Sequence, residues 1–227
     1  MGPGYVTGRG RAPLYRRRRP LPALIILSIL GIGAITVWVN ALDTSIDRDE
    51  AVKCPAPTHK AADVTFQQLP YDALDRTAPM PASKVQVRVL NAGDQRGQAS
   101  ITTEGLKEFG FEQVAKPTND SLYPEENLDC RGQIRFGENG AAAARTLSIL
   151  EPCAELVRDG RPDASVDLTV GVRFDDLRPK TEAVKVLRSL EKWAASHPDQ
   201  RGGEQAAERM QPDIDPALLS AARDMSC

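Results

Sequence analysis

Hydrophobic and polar positions alternate regularly between residues 85 and 176, and this pattern predicts an α/β domain. In the segment VQVRVLNAG, which begins at Val85, apolar residues occupy every second position, as in a strand with one buried face. A helix is predicted from Gln98 to Phe109, where apolar residues recur at spacings of three and four. A short strand over 111–116 completes a strand–helix–strand unit.

The same order of elements recurs further along the chain. After a polar loop over 117–131, a strand is predicted at 133–136, a helix at 141–150 and a strand at 154–158. The final strand, 166–174, alternates most regularly, so one of its sides must be covered. The predicted fold class is therefore α/β (α+β): a small two-layer sandwich of two strand–helix–strand units plus a final strand.

We delimit this domain as residues 85–176, and one segment precedes it and another follows it. Residues 43–84 are acidic and then rich in proline, which indicates a tether, although the apolar residues within 64–74 favour contact with the domain. Residues 177–227 predict a helical C-terminal extension, with a helix over 181–196 and a short last helix that Asp215 caps, followed by Pro216 at its first position.

An uncharged run precedes the tether. Residues 20–42 form 23 consecutive positions without a formal charge, and as a helix they would span about 34 Å, against about 30 Å of hydrocarbon. Arginines precede the run within 1–19 and acidic residues follow it. We therefore predict a single-pass N-terminal transmembrane helix, with residues 1–19 in the cytoplasm and the domain outside.

A cleaved secretory signal is the alternative interpretation, because Val39-Asn40-Ala41 fits a small-x-small cleavage pattern. The run is longer than the apolar part of an ordinary signal, which favours a retained anchor. Both interpretations export the rest of the chain.

The charge distribution argues against nucleic acid as a partner. The chain has 29 Lys plus Arg against 31 Asp plus Glu, a net charge of −2. The six arginines of residues 1–20 account for +6, so the remainder carries −8. A domain of that charge would repel a phosphate backbone.

Four cysteines lie on the predicted exported side, and none of them forms a C-x-x-C pair. Disulfides are favoured over a metal site, because four-cysteine zinc sites use closely spaced pairs. Four cysteines allow three connectivities. We favour Cys130 with Cys153, since each precedes a predicted strand, and Cys54 with Cys227, which would join the two ends of the exported part.

The sequence contains no recognisable catalytic set, and we expect no catalytic residue, cofactor or metal. His59 lies in the tether and His197 near a helix end, neither with a nucleophile or ligand pattern around it. The carboxylate pairs Asp175-Asp176 and Glu125-Glu126 are adjacent in sequence, which does not create the opposed geometry of a glycosidase.

One turn is a candidate ligand site. The segment NAGDQRG, with Asn91, Gly93 and Arg96, places backbone amides at a predicted helix N-terminus, where a phosphate or a sugar carboxylate would bind. It lacks the G-x-G-x-x-G pattern and a Walker lysine, so a plain strand-to-helix turn is the alternative.

The order of these motifs resembles the LytR C-terminal domain. The resemblance covers roughly residues 83–175 and rests on V-x-V-L-N-A-G, then G-Q-A, a helix with Leu106, Gly110-Phe111, a second strand–helix unit and V-D-L-T-V-G. It implies an envelope domain of Gram-positive and actinobacterial cells, found alone or behind the catalytic domain of LytR-CpsA-Psr proteins. Nothing in the chain resembles that catalytic domain, so transferase activity is not implied.

Together these observations favour a membrane-anchored, non-catalytic extracytoplasmic binding or scaffold protein. The resemblance implies a role in cell-envelope integrity, with wall polymers or envelope-assembly enzymes as partners and membrane lipid around residues 20–42. Two alternatives stay open: a wall-polymer hydrolase or ligase that uses surface carboxylates, and a carrier of an apolar ligand in a groove between sheet and helices. The oligomeric state does not follow from the sequence.

Overall fold

The structure is a computed structural model that describes residues 21–57, 65–125, 127–197, 214–224 and 227, and for 21–23 and 40–46 only the backbone. The chain divides into two compact units, Met1–Thr44 and Ser45–Cys227.

Helix α1 spans Leu21–Val52, and its large apolar side chains from Leu24 to Val39 are exposed. Within the described residues no helix meets both the length and the apolarity that a membrane crossing requires. The span over residues 20–42 stays a prediction.

In the second unit, seven strands form one mixed sheet in the order β1-β6-β5-β7-β2-β3, with β4 paired to β2. The strands are β1 (Phe66–Leu69), β2 (Gln86–Asn91), β3 (Gln113–Val114), β4 (Thr118–Asn119), β5 (Gly132–Phe136), β6 (Glu155–Asp159) and β7 (Val166–Val170). The remaining helices are α2 (Gln98–Glu108), α3 (Ala141–Leu150), α4 (Thr181–Ser196) and α5 (Pro216–Arg223), with short 3₁₀ turns at Ala82–Lys84 and Glu138–Gly140.

The two predicted strand–helix–strand units are present. Strand β2 runs parallel to β3, and β5 runs parallel to β6, each pair being joined through a helix. Strand β7 lies between the units, parallel to β2 and antiparallel to β5. The mixed α/β fold class is confirmed.

One face of the sheet forms the core with the helices. Alternate residues of the strands point to this face because side chains of a strand alternate sides. Burying each large apolar side chain contributes about 1.5–3 kcal/mol. The main members are Val87, Val89, Leu106, Phe111, Ile134, Phe136, Leu147, Leu156 and Leu168. Helices α4 and α5 pack on α3 through a second cluster that contains Ile149, Val186, Leu190 and Ala222.

The predicted contact of residues 64–74 with the domain is confirmed for residues 65–74, because β1 pairs antiparallel with β6 and Tyr71 and Leu74 are buried. The last strand, by contrast, differs from its sequence pattern. The strand predicted over 166–174 ends at Val170, and Val172, which its alternation would place on the side of Val166 and Val170, is exposed. The physical reason is that the chain turns after Val170, where the Phe174 amide donates to the Gly171 carbonyl at 3.1 Å.

The backbone at Gly171 lies close to the backbone of residues 128–130, and substituting Gly171 by alanine tests this close approach. A Cβ at this position would lie 2.3 Å from the Cys130 carbonyl oxygen and 2.7 Å from that of Leu128. We expect Gly171→Ala to lower the free energy of unfolding in urea by about 2–3 kcal/mol, because backbone must move. Gly105→Ala is the control, since only the side-chain end of Leu177 lies near, at 3.3 Å. Equal stability of both variants would contradict the close approach.

Candidate ligand-binding face of the sheet

The face of the sheet opposite the helices is polar. Its side chains come from the alternate positions of the same strands, so the amphipathic pattern that builds the core also places polar groups here. We call this surface the polar sheet face and define it by Gln68, Arg88, Gln133, Arg135, Glu155 and Asp167, with Phe66 at its β1 edge.

One half of the polar sheet face is buried beneath the 117–131 loop. Arg135 and Asp120 form an ion pair of 2.7 Å, with side chains only 4% and 1% exposed. The Arg135 guanidinium carbon lies 5.5 Å from the centre of the Tyr123 ring and 6.0 Å from that of Phe66. Cation–π contacts of this kind are strongest where water is excluded.

A hydrogen-bonded chain extends from this ion pair along the sheet. Arg135 donates to Oε1 of Gln133 at 2.8 and 3.0 Å, and Gln133 donates to Glu155 at 2.8 Å. Gln68 donates to the other oxygen of Glu155 at 2.7 Å. Burial raises the pKa of Glu155, and these hydrogen bonds to the charged form oppose that rise.

The loop is held down by contacts with the chain that follows α1. The Tyr123 hydroxyl donates to the Pro55 carbonyl at 2.6 Å, and burial raises the pKa of Tyr123 to about 12, so the phenol stays protonated. Cys54 and Cys130 form a disulfide beside it and belong to a small apolar cluster with Tyr123 and Leu128.

The other half of the polar sheet face is open and forms a cleft of about 810 Å³. It lies where the first residues of β2 and β7 meet β3 and the loop between β6 and β7. Its polar lining consists of Thr65, Gln86, Arg88, Glu112, Gln113, Asp159, Arg161, Asp163, Ser165 and Asp167. We call it the edge cleft.

Both arginines of the edge cleft are paired with carboxylates of the same cleft. Arg161 contacts both Asp159 and Asp167 at 2.6 Å, and Arg88 donates two hydrogen bonds to Asp167 at 3.0 and 3.1 Å. Burial lowers the pKa of Arg161, but the hydrogen bonds to the two carboxylates outweigh it and raise that pKa overall. The guanidinium therefore stays charged and its geometry is rigid.

This arrangement suits binding better than proton transfer. Both carboxylate oxygens of Asp167 already accept hydrogen bonds from Arg88 and Arg161, and its side chain is only 6% exposed, so neither oxygen is open to a substrate. The edge cleft instead offers fixed hydrogen-bond donors and acceptors, which a polyhydroxylated ligand requires.

The three residues of the predicted ligand turn have separate environments. Asn91 is buried, donates to the Gln95 carbonyl at 3.3 Å and accepts from the Asp120 amide through its own carbonyl at 2.8 Å. A Cβ on Gly93 would lie 2.8 Å from the Gly171 carbonyl oxygen, so close packing explains this glycine. Arg96 is exposed and lies two residues before the first residue of α2. The ligand role of this turn stays a prediction.

The predicted disulfide pairing is wrong. The structure joins Cys54 to Cys130 and Cys153 to Cys227, so that each cysteine is oxidised but with a different partner. The reason is tertiary: α5 packs on α3 and α4 and carries the chain end to Cys153, which follows α3. Two disulfides agree with the predicted oxidising compartment.

The remaining candidate groups lie apart from the edge cleft. His197 is exposed, stacks on the Trp193 ring at 4.8 Å and contacts the Trp193 carbonyl at 2.9 Å. Asp175 pairs with Arg131 at 2.6 Å. His59 and Glu126 lie outside the described residues. Within the part of the chain that the structure describes, no cluster of three metal-ligating side chains occurs.

The fold, with one helical face and one polar face, defines a small mixed α/β domain, and two comparisons identify its class. A family model described as LytR cell envelope-related transcriptional attenuator, LytR_C, matches residues 84–174. The cell envelope integrity protein Cei of Mycobacterium tuberculosis is 35% identical over 218 residues, which cover 94% of this chain and 92% of that protein. The chain belongs to this family of LytR C-terminal domain proteins.

A solved structure resembles most of the chain. It is the soluble domain of a conserved hypothetical secreted protein from Mycobacterium marinum, 35% identical, with a TM-score of 0.58. The similarity covers 71% of this chain and 97% of that domain.

Proposed function

We propose that this protein is a non-catalytic, extracytoplasmic binding module that supports the integrity of the cell envelope by holding a wall glycan in the edge cleft. The envelope role is supported by the similarity to the M. tuberculosis envelope integrity protein. The observation that carries the proposal is the edge cleft itself, in which Arg88 and Arg161 are fixed by ion pairs with Asp159 and Asp167.

An extracytoplasmic position is supported by the two disulfides and by the M. marinum relative, which is described as secreted. Attachment to the membrane through residues 20–42 is part of the proposal. Its support is the uncharged run, the arginines before it and the exposed apolar side chains between Leu24 and Val39.

The cleft is tested by the retention of the full chain on purified, insoluble cell wall. Changing Gln86→Ala and Arg88→Ala together removes two hydrogen-bonding groups from the open side of the cleft, while Asp167 keeps its contact with Arg161. We expect retention to fall about tenfold, since each lost hydrogen bond costs about 0.5–1.5 kcal/mol.

Arg173→Ala is the matched control. Arg173 is exposed and pairs with the exposed Asp129 at 2.9 Å, outside the edge cleft. The Arg173→Ala variant should be retained on the cell wall to the same extent as the parent chain. Equal retention of the double variant and the parent chain would refute the cleft as the glycan site.

The same wall preparation tests the enzyme alternative. If the parent chain releases soluble fragments from the wall and the Asp167→Asn variant does not, the protein is a hydrolase and the binding proposal is wrong. The carrier of an apolar ligand receives no support, because core side chains fill the space between the sheet and helices α2 and α3.

A further inference from the structure

A second, smaller cavity lies where α3, α5 and the turn after β1 meet. Its volume is about 140 Å³, and its lining includes Arg48, Tyr71, Asp75, Arg145 and Arg223. None of these residues belongs to the edge cleft or to the polar sheet face. We call it the arginine cavity.

Two buried guanidiniums in the arginine cavity share one carboxylate. The side chains of Arg145 and Arg223 are only 3% and 4% exposed, and both donate through Nη1 to the same Oδ1 atom of Asp75, at 2.8 and 2.5 Å. The side chain of Asp75 is half exposed. One partly solvated negative charge therefore faces two buried positive charges.

The third arginine does not correct this imbalance. Arg48 lines the same cavity and pairs at 2.9 Å with Asp224, whose side chain is mostly exposed. Among the described residues, the cavity lining contains three arginines and one carboxylate, and Asp224 lies outside that lining. A buried charge without full compensation costs several kcal/mol, so a positive excess in such a place favours the uptake of an anion.

The hydrogen-bonding state of the two buried arginines indicates the same excess. The Nε atoms of Arg145 and Arg223 are buried, and neither has an acceptor within the described part of the chain. Burial lowers the pKa of Arg145, and the charge of Arg223 lowers it further. Both observations indicate that the two guanidinium groups have fewer hydrogen-bond acceptors and less negative charge around them than they could bind.

The position of Arg223 is nevertheless rigid, as expected for a built site. Its guanidinium carbon lies 4.0 Å from the centre of the Tyr71 ring, and Nη2 donates to the Tyr71 carbonyl at 2.7 Å. The Tyr71 hydroxyl donates in return to the Arg223 carbonyl. The aromatic ring and the two hydrogen bonds with Tyr71 hold Arg223 in place and add no negative charge.

We propose that the arginine cavity binds a phosphate group. Arginine pairs in two-point fashion with phosphate oxygens, and a phosphate would supply the negative charge that the two buried arginines lack. The volume admits one small oxyanion with its nearest waters and is well below that of an ordinary organic-ligand pocket, about 300–1,000 Å³. The phosphate comes either from a soluble phosphate or from a lipid headgroup.

The first experiment measures binding of inorganic phosphate to the purified full chain by calorimetry, with sodium chloride at equal ionic strength as the reference. Saturable binding of one phosphate per chain is expected. Asp75→Asn removes the one competing carboxylate, so phosphate should bind about tenfold tighter, although this variant loses an ion pair. A cluster with only a structural role would lose stability and gain no affinity.

Asp129→Asn is the matched control, because Asp129 is an exposed carboxylate outside the cavity. Its phosphate affinity should equal that of the parent chain. Arg48→Ala provides a second variant at an accessible position, and about tenfold weaker binding is expected. The proposal is overturned if phosphate binds no better than chloride, or if Asp75→Asn leaves the affinity unchanged or weaker.

The source of the phosphate is distinguished with vesicles. The full chain is mixed with vesicles of phosphatidylcholine alone or with one-fifth phosphatidic acid, and inorganic phosphate is then added. If the chain is retained on the acidic vesicles, if added phosphate abolishes that retention and if Arg48→Ala weakens it, the site binds a lipid headgroup. If inorganic phosphate binds the chain but does not displace it from the acidic vesicles, the site binds a soluble phosphate.

Discussion

Replacing Cys153 and Cys227 together by serine should lower the free energy of unfolding in urea by about 4–5 kcal/mol. Their disulfide closes a loop with a sequence separation of 74 residues, and loop-closure entropy sets that magnitude. It also ties the end of α5 to the segment after α3. For a small domain such a loss is a large share of the total stability.

The single variants test the pairing as well as its energy. Cys153→Ser should leave Cys227 as the alkylatable thiol, whereas the pairing predicted from sequence would leave Cys130 free. The variant in which Cys54 and Cys130 are both replaced by serine is the comparison. These cysteines are 76 residues apart, so we expect a similar loss of unfolding free energy. Peptide mapping of the oxidised chain that linked Cys130 to Cys153 would contradict the structure.

Removing the buried carboxylate of Asp120 should cost about 3–5 kcal/mol of unfolding free energy. Asp120→Ala leaves the Arg135 guanidinium buried beneath the 117–131 loop without its anionic partner. The effect is measured by urea denaturation at neutral pH. Asp129→Ala is the control, because its ion pair with Arg173 is exposed on both sides, and the expected loss is below about 1 kcal/mol.

A double replacement separates the charge effect from the packing effect. Asp120→Leu combined with Arg135→Met removes both buried charges and keeps most of the volume, so most of the lost stability should return. Similar losses for Asp120→Ala and the double variant would show that packing of the loop, not the unpaired charge, sets the energy.

Local patterns were sufficient for most of the regular elements. The predicted helix over 141–150 has those bounds in the structure, since its apolar spacing is local. The predicted cap is also present: Asp215 accepts from the Ala217 amide at 2.8 Å, with Pro216 at the first helical position. These features depend on residues within one or two turns, which a single sequence displays directly.

The polar sheet face and the edge cleft were not predicted. The alternation in β7 showed that Asp167 lies opposite the core, but not that Arg88 and Arg161 meet it there. Arg88 is 79 residues away in sequence. The only available signal was a charged residue at an outward strand position, which ordinarily indicates a solvated surface.

By itself the sequence determined the α/β class, the two repeated units, the oxidation of the cysteines and the family, because periodicity, composition and motif order express them. The tertiary structure alone decided the central place of β7, the partner of each cysteine and the meeting of Arg145 and Arg223 on Asp75. The physical reason is distance along the chain: Arg223 and Asp75 are 148 residues apart, and packing of the helices and sheet, not any local pattern, brings them together.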